Sequence, residues 1–240
     1  FRERGIMNIS IEPKKAATYL GTIIAFLIAA YIAGYISRCF LGHDYVFGLV
    51  PLFDLDVEGN IPSLFSSVSI LLCSGLLYII GTAHMKDNNK ESYYWKGLAA
   101  IFLFLALDEG AAIHERLVGP MKEIMKGTGY PYFTWVIPYL IFSTGIGLIY
   151  MRFLLNLPNK YRLLIIISGI IYIIGALGFE PITPYYYEVY HKKDIIFSTI
   201  IMVEESFEMI GILLFIYTLL SYISLEFDEL SIRFNAGNSH

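Results

Sequence analysis

The chain has 240 residues, of which 56% are apolar and 16% charged, with a formal net charge of -4 and a mean hydropathy of +0.60. That balance excludes an ordinary soluble domain and points to an integral membrane protein. No Lys/Arg cluster offers the footprint that phosphate neutralisation needs, which excludes nucleic-acid binding as well.

At about 20 apolar residues per crossing, the length accommodates roughly six spans and no separate soluble domain. The expected fold is all-α: a polytopic transmembrane bundle over residues 16–225, between an N-terminal cytoplasmic segment (1–15) and a polar C-terminal tail (226–240). Phe1 to Gly5 precede an internal Met7 and carry no pattern, so they stay outside the fold argument. The first apolar run has no clear small-residue cleavage site and is expected to act as the insertion signal. Cys39 lies just past a span end and Cys73 in mid-span, so no bridge between them is expected.

Span one is Ala16 to Ile36, with Gly21 and Gly34 allowing close approach of a neighbour; a central position is expected for it. The following connection ends in Phe53-Asp54-Leu55-Asp56-Val57-Glu58-Gly59-Asn60-Ile61-Pro62. Acids alternating with apolar residues there predict a short extended or turn segment with its carboxylates on one side, either solvated or walling a site. Span two, Ser63 to Ala83, starts behind Pro62, a favourable first-turn residue, and ends at His84, expected at the interface. Tyr93, Tyr94 and Trp95 form an aromatic belt at the next span.

Span three carries the chemistry. Gly97 to Leu107 would cover only about 16 Å of a core about 30 Å thick, so it cannot cross alone. Extension to Leu117 restores the length and moves Asp108 towards the middle, with Glu115 near the far end on the same face and Glu109 and His114 beside it. An Asp facing lipid at mid-membrane costs about 2.5–3.5 kcal/mol, so this face should point into the bundle.

Span four runs from Phe133 to Leu155, with Tyr130, Tyr132 and Trp135 as a second belt and Pro138 as an expected kink. Span five, Leu163 to Phe179, ends at Glu180-Pro181, where Glu180 belongs either to the interface or to the site. Tyr185 to His191 is expected to lie along the surface. Span six, Ile195 to Ile223, carries Glu204, Glu205 and Glu208 within about 100° of one another.

Eleven of the 17 Lys and Arg fall on the side of the two termini, which favours both termini in the cytoplasm. The acids of spans three and six then converge in the outer half of the bundle. Asp108, His114, Glu115, Glu204 and Glu208 are candidate ligands of a divalent metal such as Mn, Fe or Zn. Glu109 to His114 is i, i+5, which does not match the Glu-x-x-His spacing of four-helix carboxylate sites. Glu109, Glu205 and Glu208 are candidate catalytic acid–base groups, acting on a lipid-like or amphipathic substrate with or without a metal-activated water. A proton or cation pathway and a purely structural or partner-docking role are the alternatives for the same residues.

The Phe53–Pro62 run, Leu107-Asp108-Glu109-Gly110-Ala111-Ala112-Ile113-His114-Glu115 and the late Glu204-Glu205 pair together resemble a group of bacterial multi-pass membrane proteins of unknown activity. The resemblance covers spans one to six and implies location in the bacterial inner membrane; it implies no activity. The chain lacks the last-span lysine of rhodopsins, and its five histidines do not supply the zinc set of alkaline ceramidases.

Overall fold

A computed structural model describes residues 12–86, 90–114, 116 and 136–227. Every regular element among them is helical. The helices are α1 (Pro13–Leu41), a 3-10 turn (Val46–Gly48) leading into the short α2 (Leu49–Leu52), α3 (Ile61–Lys86), α4 (Glu91–Ala111), α5 (Val136–Asn156), α6 (Asn159–Ile173), α7 (Ile182–Tyr190) and α8 (Ile195–Glu226). Ile174–Phe179 continues α6 as a π-helical stretch towards α7.

Five helical stretches are long and apolar enough to cross a membrane: Pro13–Leu41, Ile61–Met85, Val136–Asn156, Asn159–Tyr190 and Ile195–Glu226. Helix α4 has 21 residues, about 31 Å at 1.5 Å per residue, and stands outside that set because its charged and polar residues make it less apolar. It carries Glu91, Lys96, Asp108 and Glu109. Its length comes from starting earlier than expected, at Glu91, and not from running on past Asp108.

Local sequence explains the ends. Pro13 opens α1, where a missing N–H is no loss, and Gly42 closes it in the left-handed region at φ 70°, donating its N–H to Ser37 O. Asn60 and Ser63 cap α3 reciprocally: Ser63 N–H donates to Asn60 Oδ1 at 3.3 Å and Asn60 N–H to Ser63 Oγ at 3.0 Å. Asp194 caps α8 by accepting the N–H groups of Ile196 and Phe197 at 3.0 and 3.2 Å.

Helices α3 and α4 form the most closely packed pair, an antiparallel hairpin. Three serines tie it across its length: Ser92 Oγ donates to Gly81 O at 2.6 Å, Ser74 Oγ to Ala99 O at 2.7 Å and Ser67 Oγ to Ala106 O at 2.8 Å. Where water is absent, such hydroxyls need an acceptor inside the protein, and a neighbouring helix carbonyl supplies it.

The centre of the bundle is α8, which packs against α1, α3, α6, the π-helical stretch and α7. Helix α1, expected there, is peripheral: only Ile24, Leu27 and Tyr31 are buried along it. Apolar composition suits a helix ringed by lipid as well as one ringed by protein, so hydropathy does not separate the two. Helix α5 is also peripheral and touches α4 and the π-helical stretch only sparsely.

His84, expected at an interface, is buried at 6% exposure. Its Nε2 lies 3.1 Å from the Tyr222 hydroxyl, and its ring is parallel to Trp95 with centroids 6.4 Å apart. Together with Phe153 and Tyr161 these side chains pack one end of the molecule. The opposite end, where α3, α5 and α8 begin and α4 ends, holds the acids.

Candidate functional site

Helix α4 ends one turn after Asp108. Ala112 adopts the left-handed region at φ 50° and returns its N–H to Asp108 O, so the chain turns back over the end of its own helix. The expected continuous helix to Leu117 therefore does not form, and Asp108 sits in the last turn instead of mid-span. No glycine stands at the break, and an alanine in this conformation leaves no mark in the sequence.

The reversal brings His114 over Asp108. His114 N–H donates to Asp108 Oδ1 at 2.9 Å, and its ring Nδ1 lies 3.5 Å from Asp108 Oδ2. Tyr139, from the first described turns of α5, donates its hydroxyl to the same carboxylate at 3.1 and 3.2 Å. On the far side of the imidazole, Nε2 lies 3.6 Å from Glu58 Oε1 and 3.7 Å from Glu180 Oε1. One imidazole thus stands among carboxylates from α4, the 53–60 connection and the end of the π-helical stretch.

The connection does not present its acids on one side as expected. Asp54 is held by Arg38 at 3.1 Å, Asp56 by Lys193 at 2.7 Å, and Glu58 reaches inward to His114. The first two contacts fasten the connection to α1 and to the start of α8; the third places a carboxylate in the site.

Helix α8 supplies Glu204, Glu205 and Glu208. Glu204 is buried and receives a long hydrogen bond from Thr183 Oγ1 at 3.4 Å. Close approach of α6 depends on two glycines. A Cβ on Gly175 would stand 2.7 Å from Glu208 Cγ, and one on Gly211 would stand 2.8 Å from Tyr172 N. The π-helical stretch containing Gly175 changes the winding of the chain just before Glu180, a device frequent at functional positions.

A cavity of about 640 Å³ joins these groups. Asp108, Glu109, His114, Glu204, Glu205 and Glu208 all line it, with Glu58 and Glu180. Of the candidate site residues, Glu115 lies outside the described residues, and so do the belt residues Tyr130, Tyr132 and Trp135. Tyr139, Tyr172 and Thr183 also line the cavity and were not anticipated, because a tyrosine or threonine in an apolar span is ordinary. Away from the acids the cavity becomes an apolar trough between α4, α5 and α6, bounded by Leu98, Phe102, Ile146, Leu154 and Ile165.

Among the described residues no three His, Cys, Asp or Glu side chains are arranged to hold a metal ion. The contacts of His114 with its carboxylates, 3.5–3.7 Å, are those of an imidazole between acids. What the arrangement offers chemically is an imidazole oriented by an aspartate, further carboxylates within the same enclosure, and an apolar trough leading away from them.

The family model of DUF8692, a domain of unknown function, matches residues 19–223, and the chain belongs to that family. No curated protein and no solved structure matches it significantly.

Proposed function

We propose that this member of the DUF8692 family is an integral membrane protein of six spans, α4 being the sixth, that acts as an enzyme on a lipid-like or amphipathic substrate. The carrying observation is the continuity of the acid–histidine group with the apolar trough in one cavity, a combination of a few convergent polar groups and apolar walls typical of ligand sites. The polar end of the substrate would lie against His114 and the acids, and its tail along α4, α5 and α6. The resemblance in sequence supports a bacterial inner membrane, and lysine and arginine placement supports cytoplasmic termini, which sets the acid end in the outer half of the bilayer.

In this reading Asp108 orients His114, which exchanges the proton with the substrate, and Glu109, Glu205 or Glu208 supplies the partner acid or base. The described side chains are not gathered around one point, so a divalent ion such as Mn, Fe or Zn would have to draw Asp108, His114, Glu204 and Glu208 together, with Glu115 as a further donor, and would supply Lewis acidity or an activated water.

The test has two parts. Lipid profiles of host membranes containing the wild-type chain should show one amphiphile class depleted and a product accumulating, and neither change with Asp108→Asn or His114→Gln; identical profiles would overturn the enzyme reading. Metal analysis of the detergent-purified protein beside the Asp108→Asn, Glu208→Gln double variant decides the cofactor: metal near one equivalent, lost in the variant, supports it, and no uptake of Mn, Fe or Zn by either removes it.

A proton or cation pathway is the second reading, favoured by the crowding of carboxyl groups from four segments into one intramembrane enclosure. Flux in proteoliposomes under an imposed gradient, abolished by Glu205→Gln, would establish it.

A further inference from the structure

Eight carboxyl side chains line the cavity: Asp56, Glu58, Asp108, Glu109, Glu180, Glu204, Glu205 and Glu208. Against them stand one imidazole and, among the described lining residues, no lysine or arginine. Asp56 is answered by Lys193 and Asp108 by Tyr139 and His114. Glu109, Glu205 and Glu208 are different: they face the cavity with no hydrogen bond or ion pair to another described residue. The Tyr172 hydroxyl shares that condition. Glu205, Glu208 and Tyr172 are half-buried in the wall of the cavity.

Carboxyl groups gathered in this way are held as carboxylates by a ligand that supplies hydrogen-bond donors and positive charge. A phosphate, sulfate or carboxylate head group would bring further negative charge among these acids. The trough beside the acids is apolar over the ten residues of α4 from Leu98 to Asp108, about 15 Å along the helix. It runs between α4 and α5, two helices that touch only sparsely, so a tail would reach it from the side, within the bilayer.

Building on the enzyme reading above, we infer that the amphiphile taken by this cavity is a cationic one, an aliphatic amine whose ammonium lies among Glu109, Glu205 and Glu208 and whose tail follows the trough. Three N–H donors on one compact charge match three carboxylates that lack donors. The Tyr172 hydroxyl, beside them, donates to a carboxylate or accepts from the ammonium.

The test uses the full chain in phosphatidylcholine nanodiscs near neutral pH, with hexadecylamine, hexadecanol and hexadecanoate as probes and native mass spectrometry as the readout. Hexadecylamine should bind at least about tenfold more tightly than hexadecanol, a gap of about 1.4 kcal/mol. That preference should disappear in Glu205→Gln, Glu208→Gln, with hexadecylamine losing more affinity than hexadecanol. Ile146→Trp, which fills the trough without touching the acids, should weaken both probes and provides the test if the double variant does not fold. Equal binding of amine and alcohol would overturn the inference and leave the amphiphile reading standing. Preferential binding of hexadecanoate once Mn²⁺ is added would also overturn it, by showing that a metal supplies the positive charge. Binding of none of the three would overturn the amphiphile reading with it.

Discussion

The carboxylate of Asp108 holds both the backbone and the ring of His114: Oδ1 accepts the backbone N–H at 2.9 Å and Oδ2 lies 3.5 Å from Nδ1. Six residues of sequence separate them, and the turn at Ala112 closes the gap. The same carboxylate accepts from Tyr139, so a single side chain ties the end of α4 to α5 and sets the direction in which Nε2 faces the cavity.

Asp108→Ala removes an acceptor from two half-buried donors and is expected to cost about 1–2 kcal/mol, read as a lower unfolding midpoint in detergent. Asp108→Asn retains an acceptor oxygen and should cost less, while disturbing the ring of His114 and any activity that depends on it. Equal losses in the two variants would show that the hydrogen bonds to Asp108 contribute nothing to stability.

Gly211→Ala and Gly145→Ala should differ in sign. At Gly211 a methyl group would meet Tyr172 N at 2.8 Å, Tyr172 Cβ at 2.9 Å and Ser168 O at 3.0 Å, which forces α6 away from α8 at about 1–3 kcal/mol. At Gly145 nothing lies within 4 Å, and the gain in helix propensity is worth up to about 1 kcal/mol. Unfolding midpoints of the two single variants check the pair.

Trp95 is fully buried, and its ring N–H has no hydrogen-bond partner among the described residues. Trp95→Ala should cost about 3–5 kcal/mol through the cavity it leaves. Trp95→Phe keeps most of the ring contacts and abandons no hydrogen bond, so its cost should be clearly smaller. Neither should change ligand binding in a variant that folds, since the residue lies at the end of the bundle away from the acids. Comparable destabilisation by Phe and Ala would show that the indole N–H does have a partner.

Asp194, outside the spans, has its carboxyl pulled below the usual range, chiefly by the Phe197 N–H, with the Tyr186 hydroxyl and Ile196 N–H assisting. A depressed folded-state value means that the unfolded chain binds the proton more readily, so stability rises with pH through this region. The contribution is complete above the ordinary aspartate value, about 3.9, and is lost as the pH falls through the lower folded-state value. Asp194→Asn keeps a capping side chain and removes the titration. The stability difference between wild type and variant should be constant near neutrality and shrink on acidification; a difference independent of pH would remove Asp194 from the account.

The all-helical fold and most of the site were legible because both rest on composition and helical spacing. Apolar runs marked five of the long helices, and the expense of charge in such runs singled out Asp108, Glu109, His114 and the three glutamates of α8. Glu58 and Glu180 were visible as acids flanking apolar segments, with their direction undecided. What stayed hidden was tertiary. The left-handed turn at Ala112 has no glycine to announce it, so Asp108 was expected too deep in its helix. His84 looked interfacial because a histidine after an apolar run usually is, and only the fold provides Tyr222 and Trp95 to surround it. Tyr139, Tyr172 and Thr183 became site residues through the approach of three separate elements, which no local pattern encodes.

The serine ties between α3 and α4 also bear on how the molecule can move. A hairpin bonded across itself at Gly81, Ala99 and Ala106 behaves as a stiff rib, and α8 is locked against α6 by glycine contacts. Helix α5, among the described residues, is held mainly near its two ends: by the Tyr139 hydroxyl on Asp108 at one, and by Tyr150 and Phe153 against Tyr94 and Trp95 at the other. The aspartate that orients the imidazole is therefore also the clasp that holds the start of α5 against α4.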